Sequence, residues 1–297
     1  MQYFSVVAEE SSLRRAAERL FIAQPPLSRQ IKQLEERLGV ALFVRHSKGL
    51  TLTSEGMKVL KIIQPLLAMK EATFRRLREE VRPEAATMRV GFTTAFEQGV
   101  FAKLEAWLHA RYGARLQVAR ATSPKLAKDV RKGRLDAAFV ALPLDAPGLS
   151  ARPVGHAEPF VAALPAGWAK ADTIRGHARI ALADFTGRPL FWFKRENNPA
   201  FFDYAKAGFA LAGFAPRHIA EPAEHDVLLA RVASGEGMGL FAASFAAIRR
   251  DGVVFADVAG GGELHMQLGI VTLPGNASLA ESLLLSFSGN LLKRAGM

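Results

Sequence analysis

Two predicted helices separated by three residues constrain this chain more than any other part of its sequence. Residues 13–20 repeat apolar side chains at helical spacing, and the small Ala16 and Ala17 allow another helix to cross closely. A second helix is predicted from Gln24, with prolines in its first turn, up to Gly39. Two short helices joined by a tight turn form a helix-turn-helix, whose second helix enters the major groove in DNA-binding proteins.

The second predicted helix has an apolar face and a polar face. Its apolar stripe consists of Leu27, Ile31, Leu34 and Leu38. Its opposite face carries Gln24, Ser28, Arg29 and Lys32. Every surface helix has a polar face, and two helices at such a turn also occur in folds that never bind DNA. The helix pair alone therefore leaves both interpretations open.

A predicted hairpin directly after the two helices favours DNA binding. Residues 42–45 and 50–53 have the composition of two strands, and the turn between them, residues 46–49, is basic. A basic hairpin beside such a helix is a wing, placed to contact phosphates or the minor groove. The sequence thus predicts a winged helix-turn-helix domain over residues 1–53, with double-stranded DNA as its partner.

The order of residues in this region resembles that of the LysR-type bacterial transcriptional regulators. The resemblance is carried by residues 16–20 (AAERL), 24–35 (QPPLSRQIKQLE), 38–39, 42–43, 45 and 52–53. It is strong over the first sixty residues and looser along the rest of the chain. The resemblance implies promoter DNA, a small-molecule effector and a second subunit as partners, and a two-lobed effector domain similar in shape to periplasmic solute-binding proteins.

The resemblance also implies which side chains contact DNA. Residues expected at or beside the base edges are Gln24, Pro25, Ser28, Arg29 and Lys32. Residues expected near the backbone or the minor groove are Arg45, His46, Ser47 and Lys48. Two departures from the family pattern are visible. Ala23 stands where a Ser or Thr cap is usual, which should cost about 1 kcal/mol, and Met1 lies inside the usual first helix, so we expect a shortened start.

Length and composition limit the remaining alternatives. A chain of 297 residues with 49% hydrophobic residues predicts two or three domains with buried cores. It has no apolar run long enough to span a membrane and no recognisable secretory signal. The absence of cysteine excludes disulfides, thiolate metal sites and cysteine nucleophiles. We therefore expect a cytoplasmic protein without a membrane partner.

The basic residues are concentrated at the N-terminal end. Residues 1–82 contain 15 Lys and Arg against 9 Asp and Glu, whereas residues 83–297 contain 24 against 19. The net positive charge per residue is therefore about three times higher in the first segment. This distribution favours nucleic acid as the partner of the N-terminal domain.

A long helix is predicted over residues 54–81, followed by a hinge at residues 82–84. Its heptad seam consists of Leu60, Ile63, Leu67, Phe74, Leu77 and Val81. Pro65 should kink or interrupt the helix. The seam is buried either against a second subunit or against its own domain. The resemblance implies the first arrangement, with residues 54–83 as the linker of a homodimer or a homotetramer.

From residue 88 the pattern becomes that of an α/β domain, predicted to span residues 84–297. Strands are predicted at 88–92, 115–121, 135–140, 159–164, 190–193, 238–242 and 264–273. Helices are predicted at 100–111, 123–132, 200–211, 226–233 and 279–294, with a glycine loop at 260–262. This alternation predicts a parallel sheet covered on both faces. The chain should cross near residues 152–158 into a second lobe, giving lobe I over about 84–155 and 262–297 and lobe II over about 156–261.

The predicted ligand site lies at the carboxyl ends of the strands. Candidate effector-binding residues are Thr93, Thr94, Phe96, Thr122, Ser123, Trp192, Phe193 and Lys194. The first five follow two strands and precede helices, whose N-termini favour anions, and the last three align with the far side of the family's effector cleft. Hydroxyls suit a carboxylate and aromatic rings an apolar body, so we expect a small organic acid. The hydroxyls also fit ordinary helix capping, and Lys194 with Arg195 a solvated surface pair.

An enzymatic function finds little support in the sequence. The seven histidines lack the spacing of a metal site, residues 235–239 do not match a phosphate loop, and no serine stands in a nucleophile elbow. We therefore expect no catalytic residues, no metal and no cofactor. A ligand-responsive transcription factor explains both halves of the chain. A solute receptor of the periplasmic type explains only residues 88–297 and lacks a signal peptide, and a hydrolase or transferase explains neither half. A DNA-binding repressor without effector is a further alternative.

Overall fold

The computed structural model describes residues 1–46, 49–81, 87–168, 179–259 and 264–292. These residues cluster into an N-terminal unit and a C-terminal unit, with the division of the chain near residue 85. Each unit has its own hydrophobic core. Among the described helices, none is both long enough and apolar enough to cross a membrane.

The N-terminal unit has the order helix, helix, helix, hairpin and long helix. Its helices are α1 (Gln2–Glu10), α2 (Leu13–Leu20), α3 (Gln24–Leu38) and α4 (Ser54–Val81). Its strands are β1 (Phe43–His46) and β2 (Gly49–Leu52), which pair antiparallel. The predicted winged helix-turn-helix is therefore confirmed, with α3 as the second helix of the motif.

A small apolar core holds these elements together. Its buried members are Phe4, Val7, Leu13, Ala16, Ala17, Leu27, Ile31, Leu42, Leu50 and Ile63. The small Ala16 and Ala17 lie on α2, which packs against both α1 and α3 as predicted. Leu38, the last residue of the predicted apolar stripe, is instead exposed, and so is Tyr3 near the start of α1. Both lie at helix ends, where the chain leaves the packed region.

The structure at the start of α3 shows that the expected loss of stability from the missing N-cap hydroxyl was wrong. Ala23 occupies the N-cap position and makes no side-chain hydrogen bond. A Ser or Thr at this position would accept from the N–H of the second or third helical residue. Those residues are Pro25 and Pro26, which carry no N–H. The absence of a hydroxyl at Ala23 therefore has no such energetic cost.

The apolar residues of α4 form two stripes rather than one seam. Leu60, Ile63 and Leu67 pack against the core of the N-terminal unit. The other members of the predicted seam, Phe74, Leu77 and Val81, are exposed. A separate exposed stripe consists of Ile62, Leu66, Met69 and Leu77. The prediction of one continuous seam was thus wrong, because its first three residues are buried within their own domain.

The middle of α4 contains Pro65, which was expected either to kink the helix or to interrupt it. The helix is continuous through Pro65, so the expected break is absent. A proline removes one backbone hydrogen bond, and the helix on both sides is long enough to tolerate that loss. The predicted hinge at residues 82–84 lies outside the described residues.

The C-terminal unit is a mixed α/β structure, as the predicted fold class requires. Its helices are α5 (Ala102–Tyr112), α6 (Ser123–Arg131), α7 (Pro199–Leu211), α8 (His225–Ala233) and α9 (Ala277–Leu292). Its strands are β3 (Met88–Thr93), β4 (Leu116–Ala121), β5 (Ala137–Leu142), β6 (Ser150–Pro165), β7 (Arg179–Ala181), β8 (Pro189–Trp192), β9 (Arg217–Ala220), β10 (Gly239–Ala242), β11 (Val253–Ala259) and β12 (His265–Thr272). Strands β7, β9 and β11 were not predicted, and the glycine loop at 260–262 lies outside the described residues.

One strand, β6, is shared by both lobes. Its first part pairs antiparallel with β12, and its last part pairs antiparallel with β10 and β11. The crossing predicted at residues 152–158 is therefore a continuous strand of 16 residues. In lobe I, β3 is parallel to β4 and β5, whereas β12 is antiparallel to β5 and β6. The prediction of a purely parallel sheet was wrong for this reason.

The smaller strands and the last helix complete the two lobes. In lobe II, β7 is parallel to β11, and β8 is parallel to β9, with Trp192 opposite Ala220 at their carboxyl ends. Helix α9 packs against α5, β6 and β12, and so returns to lobe I as expected. Its Phe287 ring lies 5.7 Å from the Phe139 ring of β5.

Candidate functional site

The outward face of α3 presents the polar side chains that the sequence assigned to DNA. Gln24, Pro25, Arg29 and Lys32 are exposed, and Ser28 is half-buried. Their backbone is fixed because Leu27 and Ile31 of the same helix lie in the core. Lys32 forms an ion pair of 3.6 Å with Glu36, one turn further along the helix. The backbone of this face is therefore anchored in the core, and Arg29 makes no hydrogen bond or ion pair with the other residues that the structure describes.

The wing lies beside α3 and contacts it directly. The Nη2 of Arg45 donates a hydrogen bond of 3.3 Å to the Oγ of Ser28. Arg45 and His46 are exposed on the wing, whereas Ser47 and Lys48 at its tip lie outside the described residues. The structure thus brings a predicted wing residue and a predicted helix residue into one polar cluster.

Glu35 is a residue of this region that sequence reasoning missed. Its Oε1 accepts hydrogen bonds from the backbone N–H of Leu42, at 2.7 Å, and of Phe43, at 3.3 Å. The carboxylate therefore joins the last part of α3 to the start of the wing. A separation of seven residues has no local pattern that signals such a contact, so the sequence alone did not reveal it.

Gly49 allows the start of β2 to lie close to the turn between α1 and α2. The N–H of Leu50 donates to the carbonyl oxygen of Ser11 at 3.0 Å. Gly49 has a φ of +132°, and a Cβ at this position would lie 2.7 Å from that same oxygen. Only glycine combines this backbone conformation with such a close approach. The turn between α1 and α2 therefore supports the wing.

The C-terminal unit contains a cavity of about 710 Å³ at the carboxyl ends of its strands. Seven of the eight predicted effector residues line it: Thr93, Thr94, Thr122, Ser123, Trp192, Phe193 and Lys194. The exception is Phe96, which is fully buried in the core with its ring 5.9 Å from His156. The backbone turns after β3, so Phe96 points into the protein rather than into the cavity.

Two of the lining hydroxyls are bonded to each other. Thr93 Oγ1 lies 2.8 Å from Ser123 Oγ. Thr93 Oγ1 also accepts from the N–H of Ala95 at 3.2 Å, and Ser123 Oγ accepts from the N–H of Ala141 at 2.9 Å. The mutual bond uses one of the two hydroxyl protons. The second hydroxyl proton is not used by any hydrogen bond among the described residues.

The neighbouring Thr94 and Thr122 are less constrained. Within the part of the chain that the structure describes, neither side-chain hydroxyl has a protein hydrogen-bond partner. The carbonyl of Thr122 accepts from the N–H of Leu126 at 3.0 Å, which places Thr122 at the start of α6. The first N–H groups of that helix have no intrahelical partner. The side of the cavity that lobe I forms, called here the lobe I wall, therefore contains both the threonine hydroxyls and the N-terminus of α6.

The lobe II wall is mainly aromatic. The rings of Trp192 and Phe193 stack with centroids 5.1 Å apart, and Phe160, Phe201 and Phe241 add apolar surface. Lys194 lines the cavity mouth, but its side chain is 78% exposed and lies 3.9 Å from Glu196. Lys194 is therefore part of a solvated surface pair.

Two ionisable groups in this wall were not predicted from the sequence. Glu221 follows β9, and burial raises the pKa of its carboxyl to about 7. The ring of His225 stands edge-on to those of Phe241 and Phe245, and burial lowers its pKa. The short sequence of β9 has no strand signature, so nothing placed Glu221 beside the cavity.

A partly buried hydrogen-bond network joins the lobes behind the cavity. Glu158 of β6 accepts from the N–H of Ser244, at 2.7 Å, and its other oxygen lies 2.9 Å from Nε2 of His156. The Oγ of Ser244 accepts from the N–H of Glu97 in lobe I at 3.1 Å. Burial acts to raise the pKa of Glu158, but these hydrogen bonds outweigh it and lower the pKa.

The described residues contain no candidate metal site. Across residues 1–46, 49–81, 87–168, 179–259 and 264–292, no group of three His, Asp or Glu side chains is arranged to hold an ion. The chemistry that the cavity offers is therefore binding by hydroxyls, backbone N–H groups, aromatic rings and the side chains of Glu221 and His225.

Two family profiles cover nearly the whole chain. Residues 1–57 match the bacterial regulatory helix-turn-helix protein, lysR family. Residues 82–290 match the LysR substrate binding domain. The two matches correspond to the winged helix-turn-helix and to the two-lobed unit with the cavity.

Individual proteins show the same likeness. The chain is 33% identical over 251 residues to the HTH-type transcriptional regulator TfdS of Cupriavidus pinatubonensis, covering 84% of this chain and 83% of that protein. It is 31% identical over 263 residues to the HTH-type transcriptional regulator IlvR of Caulobacter vibrioides, covering 86% of each. Full-length CbnR, solved in complex with its target DNA, has a similar fold, with a TM-score of 0.60, 23% identity and 96% coverage of both chains.

Proposed function

The chain belongs to the LysR family of bacterial transcriptional regulators, and from this premise we propose that it binds promoter DNA and responds to a small organic acid held in its cavity. The observation that carries the proposal is the coexistence of an exposed basic α3 with a wing in one unit and a lined cavity in the other. Promoter DNA lies in the bacterial cytoplasm, where we therefore expect the protein to act.

DNA recognition is assigned to α3 and the wing. Arg29 is exposed on α3, and an arginine at such a position can form two hydrogen bonds with guanine. Gln24 and Pro25 stand at the end of the helix that enters the groove first. Arg45 and His46 are assigned to the sugar-phosphate backbone or the minor groove, and Ser28 orients Arg45 through their hydrogen bond.

Assembly is assigned to the exposed stripe of α4. Ile62 is 73% exposed and Leu66 is 53% exposed, an unusual extent for large apolar residues at successive turns of one helix. Pairing with the same stripe of a second subunit would bury them. A dimer would also present two copies of α3 to two half-sites, which raises the overall affinity for DNA.

In the proposed complex, the lobe I wall binds the acid group of the effector. The lobe II wall packs against the apolar body of the effector. A carboxylate near Thr94 and Thr122 would accept hydrogen bonds from their hydroxyls and from the first turn of α6. Trp192 and Phe193 would pack against an apolar body. The ligand changes activity only if it binds one arrangement of the lobes better than another.

Calorimetry on the full-length protein tests this proposal. Titration with a panel of small carboxylates and their matched amides should show that acids bind and that amides bind more weakly. Thr122→Val removes one hydroxyl at little change in volume and should weaken acid binding by about 1–3 kcal/mol. Equal binding of acids and amides, or no effect of Thr122→Val, contradicts the carboxylate site. Binding of promoter DNA without any response to any ligand would instead favour a repressor without effector.

A further inference from the structure

Glu221 is the group in the cavity wall that the proposed function leaves unused. It follows Ala220, which is paired with Trp192 at the carboxyl ends of β8 and β9. It lines the cavity from lobe II, whereas Thr94 and Thr122 line it from lobe I. Within the described part of the chain, Glu221 has no hydrogen bond and no ion pair. A carboxyl that lines the cavity without a protein partner is available to a donor group of a ligand.

The ionisable neighbours of Glu221 do not provide this partner. Lys194 lies at the cavity mouth with its charge directed to Glu196, and both side chains are exposed. His225 lies in the same wall, packed against the rings of Phe241 and Phe245, and burial lowers its pKa, so its ring is neutral near pH 7. Burial is the sole cause acting on the pKa of Glu221, which it raises to about 7. Among the described residues, no nearby positive charge offsets this effect of burial.

We propose that the effector carries a protonated amine in addition to its acid group, and that Glu221 binds this amine across the cavity from Thr94 and Thr122. This inference rests on the proposed function, since it adds a second end to the same ligand. The predicted ligand class is therefore an organic acid whose amine is separated from its carboxylate by an apolar body, such as an ω-amino acid.

The two walls of the cavity have complementary preferences. Lobe I offers donors, namely hydroxyls and the N-terminus of α6, which favour an anion. Lobe II offers acceptors, namely the carboxylate of Glu221 and the neutral ring of His225, which favour an N–H donor. The aromatic rings between them, such as Trp192, accommodate an apolar body and attract a cation at their faces. An acid group placed at Glu221 would instead meet a like charge.

Matched pairs of acids test the inference on the full-length protein. The probes are 4-(aminomethyl)benzoate with 4-methylbenzoate, and 6-aminohexanoate with hexanoate. The members of each pair differ in the amine alone. Dissociation constants are measured by calorimetry for the wild type, for Glu221→Gln, and for Glu196→Gln as the control at an exposed glutamate of the same cavity.

The inference requires that, in at least one pair, the amino member binds the wild type at least tenfold more tightly. Glu221→Gln should remove that preference by weakening the binding of the amino member, without weakening that of the desamino acid, whereas Glu196→Gln should keep the preference. The affinity of the amino member should rise about tenfold from pH 6 to pH 8, because its binding requires the ionised carboxyl. The Glu221→Gln protein should lose this pH dependence, although Lys194, Glu196 and His225 remain.

Three outcomes separate the inference from the function on which it rests. If desamino acids bind as well as their amino partners, the inference is wrong and the organic-acid proposal stands. If the preference for the amine survives in Glu221→Gln, the amine is bound elsewhere and the assignment to Glu221 is wrong. If neither amino nor desamino acids bind at millimolar concentrations, both proposals are wrong.

Discussion

Arg45 of the wing donates a hydrogen bond of 3.3 Å to Ser28 of α3. The two residues are 17 positions apart, and their contact closes the wing against the helix that is proposed to read DNA. Glu35 ties the other end of α3 to the wing through the backbone of Leu42 and Phe43. Helix and wing are therefore positioned as one rigid surface, so that side chains on each can be assigned separate tasks on the duplex.

The first prediction separates those tasks. Arg29→Ala should weaken binding to a specific operator by roughly 1–3 kcal/mol and reduce the preference over a scrambled duplex, because a base contact is lost. Arg45→Ala should weaken binding to both duplexes to a similar extent, because phosphate contacts carry no sequence information. Titrations at one fixed salt concentration measure both effects. Equal losses on the two duplexes for Arg29→Ala would remove its assignment to base readout.

The second prediction concerns the uncapped start of α3. Ala23→Ser should change the free energy of unfolding by less than about 0.3 kcal/mol, because Pro25 and Pro26 offer no N–H to the new hydroxyl. In a Pro26→Ala background, which restores the N–H, Ala23→Ser should stabilise the protein by about 1 kcal/mol. Urea unfolding of the four proteins of this cycle gives the coupling directly. Equal effects of Ala23→Ser in both backgrounds contradict the explanation.

A structural feature could be predicted from the sequence when the residues that determine it are close together in the chain. The bounds of α4 were predicted well because helical periodicity lies within the segment itself. The inward face of α4 could not be predicted, because Leu60, Ile62, Ile63 and Leu66 surround the helix with apolar side chains. Only packing against Phe4 and its neighbours selects the stripe that includes Ile63.

The residues that line the cavity could likewise be predicted only in part. The residues after β3 and β4 were found because strand ends meet at one edge of a parallel arrangement. Phe96 was assigned to the cavity on the same reasoning, but the turn after Thr93 directs it into the core. Glu221 was missed because β9 is a strand only by virtue of its pairing with β8. Non-local pairing of this kind leaves no periodic pattern in a strand of four residues.

The third prediction tests the exposed stripe of α4. Leu66→Asp would place a charge at the centre of the proposed subunit contact, at a cost of several kcal/mol if it remained buried and unpaired. Sedimentation velocity should show dissociation of the oligomer, and affinity for a two-half-site operator should fall with it. Lys61→Asp, a charge change on the same helix outside the stripe, serves as the control. An unchanged oligomer for Leu66→Asp would place the subunit contact elsewhere.

The fourth prediction concerns the network behind the cavity. Glu158→Ala leaves the N–H of Ser244 and the ring of His156 without their acceptor, and should destabilise the protein by roughly 2–4 kcal/mol in urea unfolding. Since the pKa of Glu158 is lowered in the folded protein, this stabilisation is present above pH 4.5 and is lost as the pH falls through the folded-state pKa. Glu281→Ala, at an exposed pair with Arg152, should change stability by less than about 0.5 kcal/mol.

The last prediction uses the raised pKa of Glu221 without any ligand. Its pKa is 4.5 in the unfolded chain and about 7 in the folded protein, so the folded state binds more protons between these values. Stability should therefore fall as the pH rises through that window, and the penalty should be complete above pH 7. Glu221→Gln has no charge to bury, so it should be more stable than the wild type at pH 8, by up to about 3 kcal/mol, and equally stable near pH 4.5. Urea unfolding at both pH values measures this difference. Glu196→Gln should match the wild type at both, and an equal difference for Glu221→Gln at pH 4.5 and pH 8 would show that its carboxyl is not desolvated.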